Sequence, residues 1–192
     1  MDKTMDTREK LLYSGLELFA TKSYEGVGIQ EIVQSVGVKK PTLYHYFGSK
    51  LGFYTSIIEY FGQKYIALSQ NCCVYRRDLV FSLNSLASQL IASALNDPHF
   101  FGLLMQGAVL SPSAEHYDAT RKYLHDFVAP LEALFLASEQ EHGNIRGKSK
   151  VLSRSFLGHI WVNLYSAQEH SSQELETLPF ALVKQFMYGI FA

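Results

Sequence analysis

The sequence predicts an all-α fold, with a short three-helix N-terminal domain followed by a larger helical domain and about nine helices in total. Three observations carry that expectation. Apolar residues recur at the three- and four-residue spacing of a helix face. Beyond Asn71 there is no Asn-Gly hairpin dipeptide and no sustained alternation of apolar and polar residues, the signals a sheet would leave. Between Gly26 and Lys50 two short periodic segments flank a glycine, as in two helices joined by a tight turn.

The first helix is expected over Thr7 to Thr21, where Leu12, Gly15, Leu16, Phe19 and Ala20 share one face and Asp6 or Thr7 can cap the start. Ile29, Ile32, Val33 and Val36 put four β-branched side chains on one face of a two-turn helix. Gly37 ends it, because glycine tolerates the left-handed conformation that closes a helix, and Val38 then buries. In the next short helix Leu43 and Phe47 point inward at i and i+4. A rotation of about 100° per residue sets Pro41 and His45 on the opposite side, flanked by Thr42 and Tyr44. Its start has two readings: Pro41 as first helical residue behind a Lys40 cap, or a Lys39 cap with Val38 and Leu43 as a hydrophobic staple. Tyr46 lies nearer the Leu43 face and is expected in the core.

Ser49 is a natural cap for a helix from Lys50 to about Ser69, carrying Phe53, Ile57, Tyr60, Phe61 and Ile66, which bridges the two domains. Further helices are expected near 77–96, 99–110, 113–140, 149–168 and 174–191. Asn96-Asp97-Pro98, Ser111-Pro112-Ser113, the Gly143 to Gly147 segment and Ser171-Ser172 punctuate them, and Pro130 should kink the third. The domain boundary is drawn as 1–50 and 51–192.

The formal charge of −1 must be located before it is used. Residues 1–50 hold seven Lys/Arg against six acids, and 51–192 hold ten against twelve. The useful asymmetry is local: Val38 through Leu51 contains three lysines and no carboxylate. A focused basic patch on a near-neutral chain suits a specific nucleic-acid binder better than a general polyanion binder. Cys72 and Cys73, adjacent and alone, fit neither a disulfide framework nor a zinc spacing, and read as two small apolar residues near a helix end. A charged N-terminus without an apolar leader, and no run of about 18 apolar residues, lead to the expectation of a cytoplasmic protein without a membrane partner.

Lys50 stands at a helix N-terminus, where a cation opposes the dipole and forfeits about 0.3–1 kcal/mol. A phosphate there would satisfy both the lysine and the helix N–H groups. Lys39 and Lys40 at the start of the exposed helix read as further phosphate contacts. Thr42 and His45 are the candidate base readers, Thr42 through its hydroxyl or its methyl against thymine. No HExxH, P-loop or G-x-S-x-G pattern occurs, so no metal, cofactor, catalytic residue or enzymatic activity is expected.

Taken together, residues 6–56 resemble the N-terminal domain of the TetR family of transcriptional regulators. The resemblance rests on Leu18-Phe19-Ala20, Tyr24-Glu25-Gly26, the Ile29 to Gly37 helix and turn, Thr42-Leu43-Tyr44, and Tyr46-Phe47-Gly48-Ser49-Lys50. Gly28, Lys39, Pro41 and Gly52 depart from the family's usual residues. Lys39, Lys40, Pro41, Thr42, Tyr44, His45 and Lys50 are therefore the residues expected to face double-stranded operator DNA, and the resemblance implies that the Tyr44 hydroxyl reaches a phosphate. It also implies a homodimer through two C-terminal helices per subunit and a small-molecule inducer in the helical body.

The body is rich in aromatics, and Phe61, Tyr65, Phe101, Met105, Tyr123, Trp161 and Tyr165 are the candidate ligand contacts. Gln106, His116, His159 and Asn163 need polar partners if buried. The reading that follows is a ligand-responsive repressor released from a palindromic operator by a small apolar molecule. A helical ligand-binding or protein-interaction module without DNA binding is the alternative.

Overall fold

The structure, a computed structural model, describes residues 5–165 and 172–189. Among these residues the fold is all helical: α1 (Thr7–Gly26), α2 (Ile29–Val36), α3 (Lys40–Phe47), α4 (Lys50–Cys72), α5 (Leu79–Asn96), α6 (Pro98–Ala108), α7 (Tyr117–Ser138), a 3-10 turn at Gly143–Ile145, α8 (Ser149–Tyr165) and α9 (Ser172–Tyr188). They form two compact units. The N-terminal unit contains the described residues up to Gln63 together with Asp97–Leu124, and the other contains Lys64–Asn96 with the described residues from His125 onward.

In the N-terminal unit, Asp6 rather than Thr7 caps α1. Its Oδ1 accepts the Glu9 N–H at 2.7 Å, and Glu9 reaches back to the Asp6 N–H, which completes a capping box. The helix is interrupted at Ser23, whose φ of 64° and ψ of 167° turn the chain before Tyr24. Gly28 caps α2 without a side-chain bond, and Gly37 ends it at φ 74° with the Val38 N–H on the Val33 carbonyl. Lys39 is the cap of α3, which places Pro41 in the first turn. The Ser49 hydroxyl accepts the Gly52 N–H at 2.9 Å at the start of α4.

Leu11, Leu12, Leu16 and Phe19 of α1 and Phe53, Tyr54 and Ile57 of α4 are buried, and Gly15 lets these two helices meet. A Cβ on Gly15 would stand 2.3 Å from Phe53 Cζ. From the same unit's α6, the Gln106 amide donates to the Ala20 carbonyl at 2.8 Å, and the Tyr54 and Thr120 hydroxyls pair at 3.0 Å. These bonds make α6 and the start of α7 part of this unit.

In the second unit, α5 contributes Leu83, Leu86, Ala87, Leu90 and Ile91 to the core, where α8 and α9 pack against it and each other. Phe186 meets Phe156 at 5.0 Å and Phe135 at 6.2 Å, and Trp161 stacks on Phe127. Ser69 donates to the Phe127 carbonyl at 2.9 Å. Cys72 and Cys73 are free and buried, and burial pushes the Cys73 thiol up to about 12, which disfavours the thiolate.

Several sequence expectations are corrected. α4 runs to Cys72, three residues beyond the expected Ser69. α7 begins at Tyr117 and not near 113, because Ser111 and Ser113 bond locally around Pro112 and hold the segment in turns. α5 is by length and composition alone apolar enough to cross a membrane, with mean hydropathy 1.2, although Ser82, Asn84, Ser85, Ser88, Gln89, Ser93 and Asn96 interrupt it, so the expectation of no continuous apolar run of that length stands. Its leucines form the core of the second unit, which accounts for that composition. Tyr46 is exposed, because it precedes Phe47 by one residue and so is rotated about 100° away from that side chain.

Gly15→Ala should destabilise the protein despite alanine's better helix propensity. Relief of a 2.3 Å approach requires Phe53 to move inside a packed core, at a cost of about 1–3 kcal/mol. Thermal unfolding of the two proteins checks this, and an unchanged or raised midpoint would contradict it.

Candidate nucleic-acid interface

α3 is anchored by only two buried side chains, Leu43 and Phe47. Its remaining surface faces solvent. Lys39, Lys40, Pro41, Tyr44 and His45 are exposed and Thr42 is half-buried, so six of the seven proposed DNA contacts share this helix and its cap. Tyr46 joins them: it is 43 % exposed, about as open as Tyr44 at 45 %, with its ring edge against His45 at 5.5 Å. No carboxylate lies on α3. A further cation, Arg8 of α1, sits over the Phe47 ring at 5.6 Å.

The seventh residue, Lys50, is placed differently. It is half-buried at the first position of α4, and its ammonium lies 4.4 Å from the centroid of the Tyr24 ring. That ring is the hub of the unit. It stacks on Phe19 at 5.5 Å and on His116 at 4.3 Å, and meets the edge of Tyr54 at 5.3 Å. The Tyr24 hydroxyl donates to Glu115 at 2.7 Å, and burial and that carboxylate together push its ionisation far above the ordinary range. Burial also pushes the Tyr54 hydroxyl up to about 12.

His116 is only 5 % exposed, and its Nδ1 has no hydrogen-bond partner among the described residues, with Glu25 Oε1 3.9 Å away. Burial holds its pKa below the ordinary value, against the opposing influence of Glu25 and Glu115. Nothing in sequence spacing joins residues 24, 50 and 116.

The candidate ligand contacts divide between the units. Phe61, Phe101, Met105 and Tyr123 belong to the N-terminal unit, where Phe61 and Tyr123 pack on Phe100 at 6.2 and 5.9 Å, and Phe101 and Met105 are half-buried on α6. Tyr65 and Trp161 belong to the second unit, and the Tyr65 hydroxyl donates to the Ser93 carbonyl at 3.3 Å. The side chain of Tyr165 lies outside the described residues. Of the polar groups flagged in sequence, Gln106 is satisfied by Ala20 and Asn163 donates to the His159 carbonyl at 2.7 Å. In the second unit Asn84 Oδ1 and His159 Nε2 are buried with no hydrogen-bond partner among the described residues.

Two short helices joined at a left-handed glycine, the second displaying cations and aromatic rings, define a helix-turn-helix head of the kind that enters a DNA groove. Residues 11–57 match the family model described as bacterial regulatory proteins, tetR family. The activator FasR of Mycolicibacterium smegmatis is 37 % identical over 54 residues, 28 % of this chain and 25 % of that protein. The chain spans about a quarter of the length of such curated relatives. The negative regulator IcaR of the Staphylococcus aureus biofilm operon icaADBC is 29 % identical over 80 % of this chain and 67 % of its own length.

The fold extends the likeness to the whole chain. The TetR family regulator PfmR of Thermus thermophilus superposes with TM-score 0.72 at 22 % identity, covering 95 % of this chain and 99 % of PfmR. FadR of Bacillus subtilis, solved with stearoyl-CoA, gives 0.77 at 16 % identity over 94 and 98 % of the two chains.

The buried histidine sets an acid limit on stability. The unfolded chain takes up a proton on His116 near its ordinary value of about 6.5, whereas the folded protein does so only at lower pH. Between those points the unfolded state holds more protons, so stability is fully present above the window and falls as pH falls through it. In urea unfolding at pH 7.5 and 5.5, wild type should lose more stability on acidification than His116→Phe. Equal losses would count against the assignment.

Proposed function

We propose that this protein is a cytoplasmic, homodimeric transcriptional regulator that represses by binding a palindromic operator and is released by a small, largely apolar molecule. The observation that carries the reading is the acid-free α3 surface. Lys39 and Lys40 stand at its entry, Pro41, Thr42, Tyr44 and His45 follow along it, and Lys50 lies just beyond. Lys39, Lys40, Lys50 and the Tyr44 hydroxyl serve as backbone contacts that set register, and Thr42 and His45 read base edges. The longer similarity to IcaR favours repression over activation, since the activator FasR is matched over the head alone.

For the ligand, the half-buried Phe101 and Met105 of α6 supply apolar contacts within the N-terminal unit. The stearoyl-CoA held by FadR makes acyl thioesters a first class to screen. For the dimer, α8 and α9 carry Val162 at 68 % and Phe180 at 61 % exposure, whereas Trp161 turns inward onto Phe127. Covering such residues on two helices favours a second copy of the same surface.

Selection of bound fragments from random DNA should return one pseudo-palindrome with half-sites about 34–36 Å apart or modestly more. On that duplex, Lys39→Gln or Lys40→Gln should weaken binding to all sequences alike and reduce the salt slope by about 0.9 per lost contact per subunit. Thr42→Ala or His45→Ala should instead change the preferred sequence. A pool recovered without enrichment, or slopes that do not move, would reject the reading of the head. Assembly is checked separately: wild type should sediment as a dimer at micromolar concentration, and Val162→Glu with Phe180→Glu as a monomer. A monomeric wild type would reject the dimer.

A further inference from the structure

Lys50 and His116 share one aromatic ring. The Lys50 ammonium lies 4.4 Å from the Tyr24 centroid, and the His116 imidazole stacks on the same ring at 4.3 Å with an interplanar angle of 24°. The groups facing His116 come from each element around it: Tyr24 and Glu25 from the end of α1, Lys50 and Tyr54 from α4, and Glu115 from its own loop. Glu25 approaches to 3.9 Å, and Glu115 is engaged by the Tyr24 hydroxyl. The buried Nδ1 therefore has a carboxylate within reach of a small movement, and no hydrogen-bond partner among the described residues.

We infer that the Tyr24 ring is a seat contested by two cations, and that a proton on His116 displaces Lys50 toward the DNA backbone, so that operator binding takes up a proton. A neutral imidazole leaves the electron-rich ring to the ammonium. An imidazolium stacked on that ring repels the ammonium and turns toward Glu25. The free protein keeps His116 neutral because burial outweighs the two carboxylates, and Lys50 acts in the same direction as burial.

A phosphate that takes Lys50 removes one positive charge from beside the imidazole and brings a negative charge to the same end of α4. Both changes favour the protonated ring. By reciprocity, if DNA raises the proton affinity of His116, the proton raises the affinity for DNA by the same factor. The inference rests on the proposed role of Lys50 at a phosphate. It adds that Tyr24 positions this lysine and that His116 sets whether the lysine stays there.

The test follows the His116 ring by NMR, assigned through its backbone resonances, in pH titrations of three samples: free wild type, free Lys50→Met, and wild type saturated with the duplex recovered from random DNA. The expected result is a titration midpoint displaced upward in both Lys50→Met and the complex relative to the free protein. A midpoint unmoved in Lys50→Met would overturn the shared seat. A midpoint raised in Lys50→Met but unmoved in the complex would overturn the proton linkage. Failure to recover any duplex would sink the DNA reading of the head and the linkage with it, while the two free samples still decide the shared seat.

Discussion

The N-terminal unit depends on the turn at Ser23. With φ 64° and ψ 167° this residue occupies a region that is essentially glycine's, at a cost of about 1–3 kcal/mol. Had α1 continued straight, Tyr24 would have followed the rotation of the helix. Instead it folds back beside Phe19 and is almost wholly buried. An aromatic side chain takes about 150–250 Å² out of water, worth about 4 kcal/mol or more. The burial of one ring therefore offsets the strain that places it.

What Tyr24 touches explains why this unit is larger than three helices. Phe19 and Tyr54 hold the ring from α1 and α4, and Glu115 and His116 hold it from the segment after α6. Gln106 adds a bond from α6 to Ala20 a single turn earlier. Residues about 90 positions downstream are thus built into the core that supports α3. A displacement of the α6 to α7 segment must either carry Tyr24 with it or break a stack and a hydrogen bond. Close packing makes such a core respond by discrete rearrangement and not by gradual strain.

The parts of this arrangement that were legible in sequence are the local ones. Gly37, Ser49 and the Leu43/Phe47 pair each act within one or two turns, so spacing alone located α2, α3 and the start of α4. The exposed face of α3 followed from the same periodicity, except for Tyr46, for which a two-residue anchor left its rotation ambiguous. The Tyr24 hub was not legible. Its partners lie at 19, 50, 54, 115 and 116, and no periodicity connects them. The α7 start was misplaced for a related reason: Ser111 and Ser113 satisfy local backbone and side-chain groups that a helix would otherwise use.

Lys50 shows how a local argument changes once tertiary contacts are known. Considered alone, a cation at a helix N-terminus loses about 0.3–1 kcal/mol and calls for a phosphate. The Tyr24 ring returns about 0.5–1 kcal/mol through the cation–π contact, so in the free protein the lysine is roughly balanced where it lies. A charge-assisted hydrogen bond contributes about 1.5–3 kcal/mol, enough to draw the ammonium off the ring. The margin is narrow, and a single added charge beside the ring is of the same order. Under the proposed reading, a head whose formal excess over residues 1–50 is only one positive charge cannot rely on bulk attraction to DNA. It must rely on where each cation stands, and in this fold the position of Lys50 is set by a tyrosine that a strained serine turns into place.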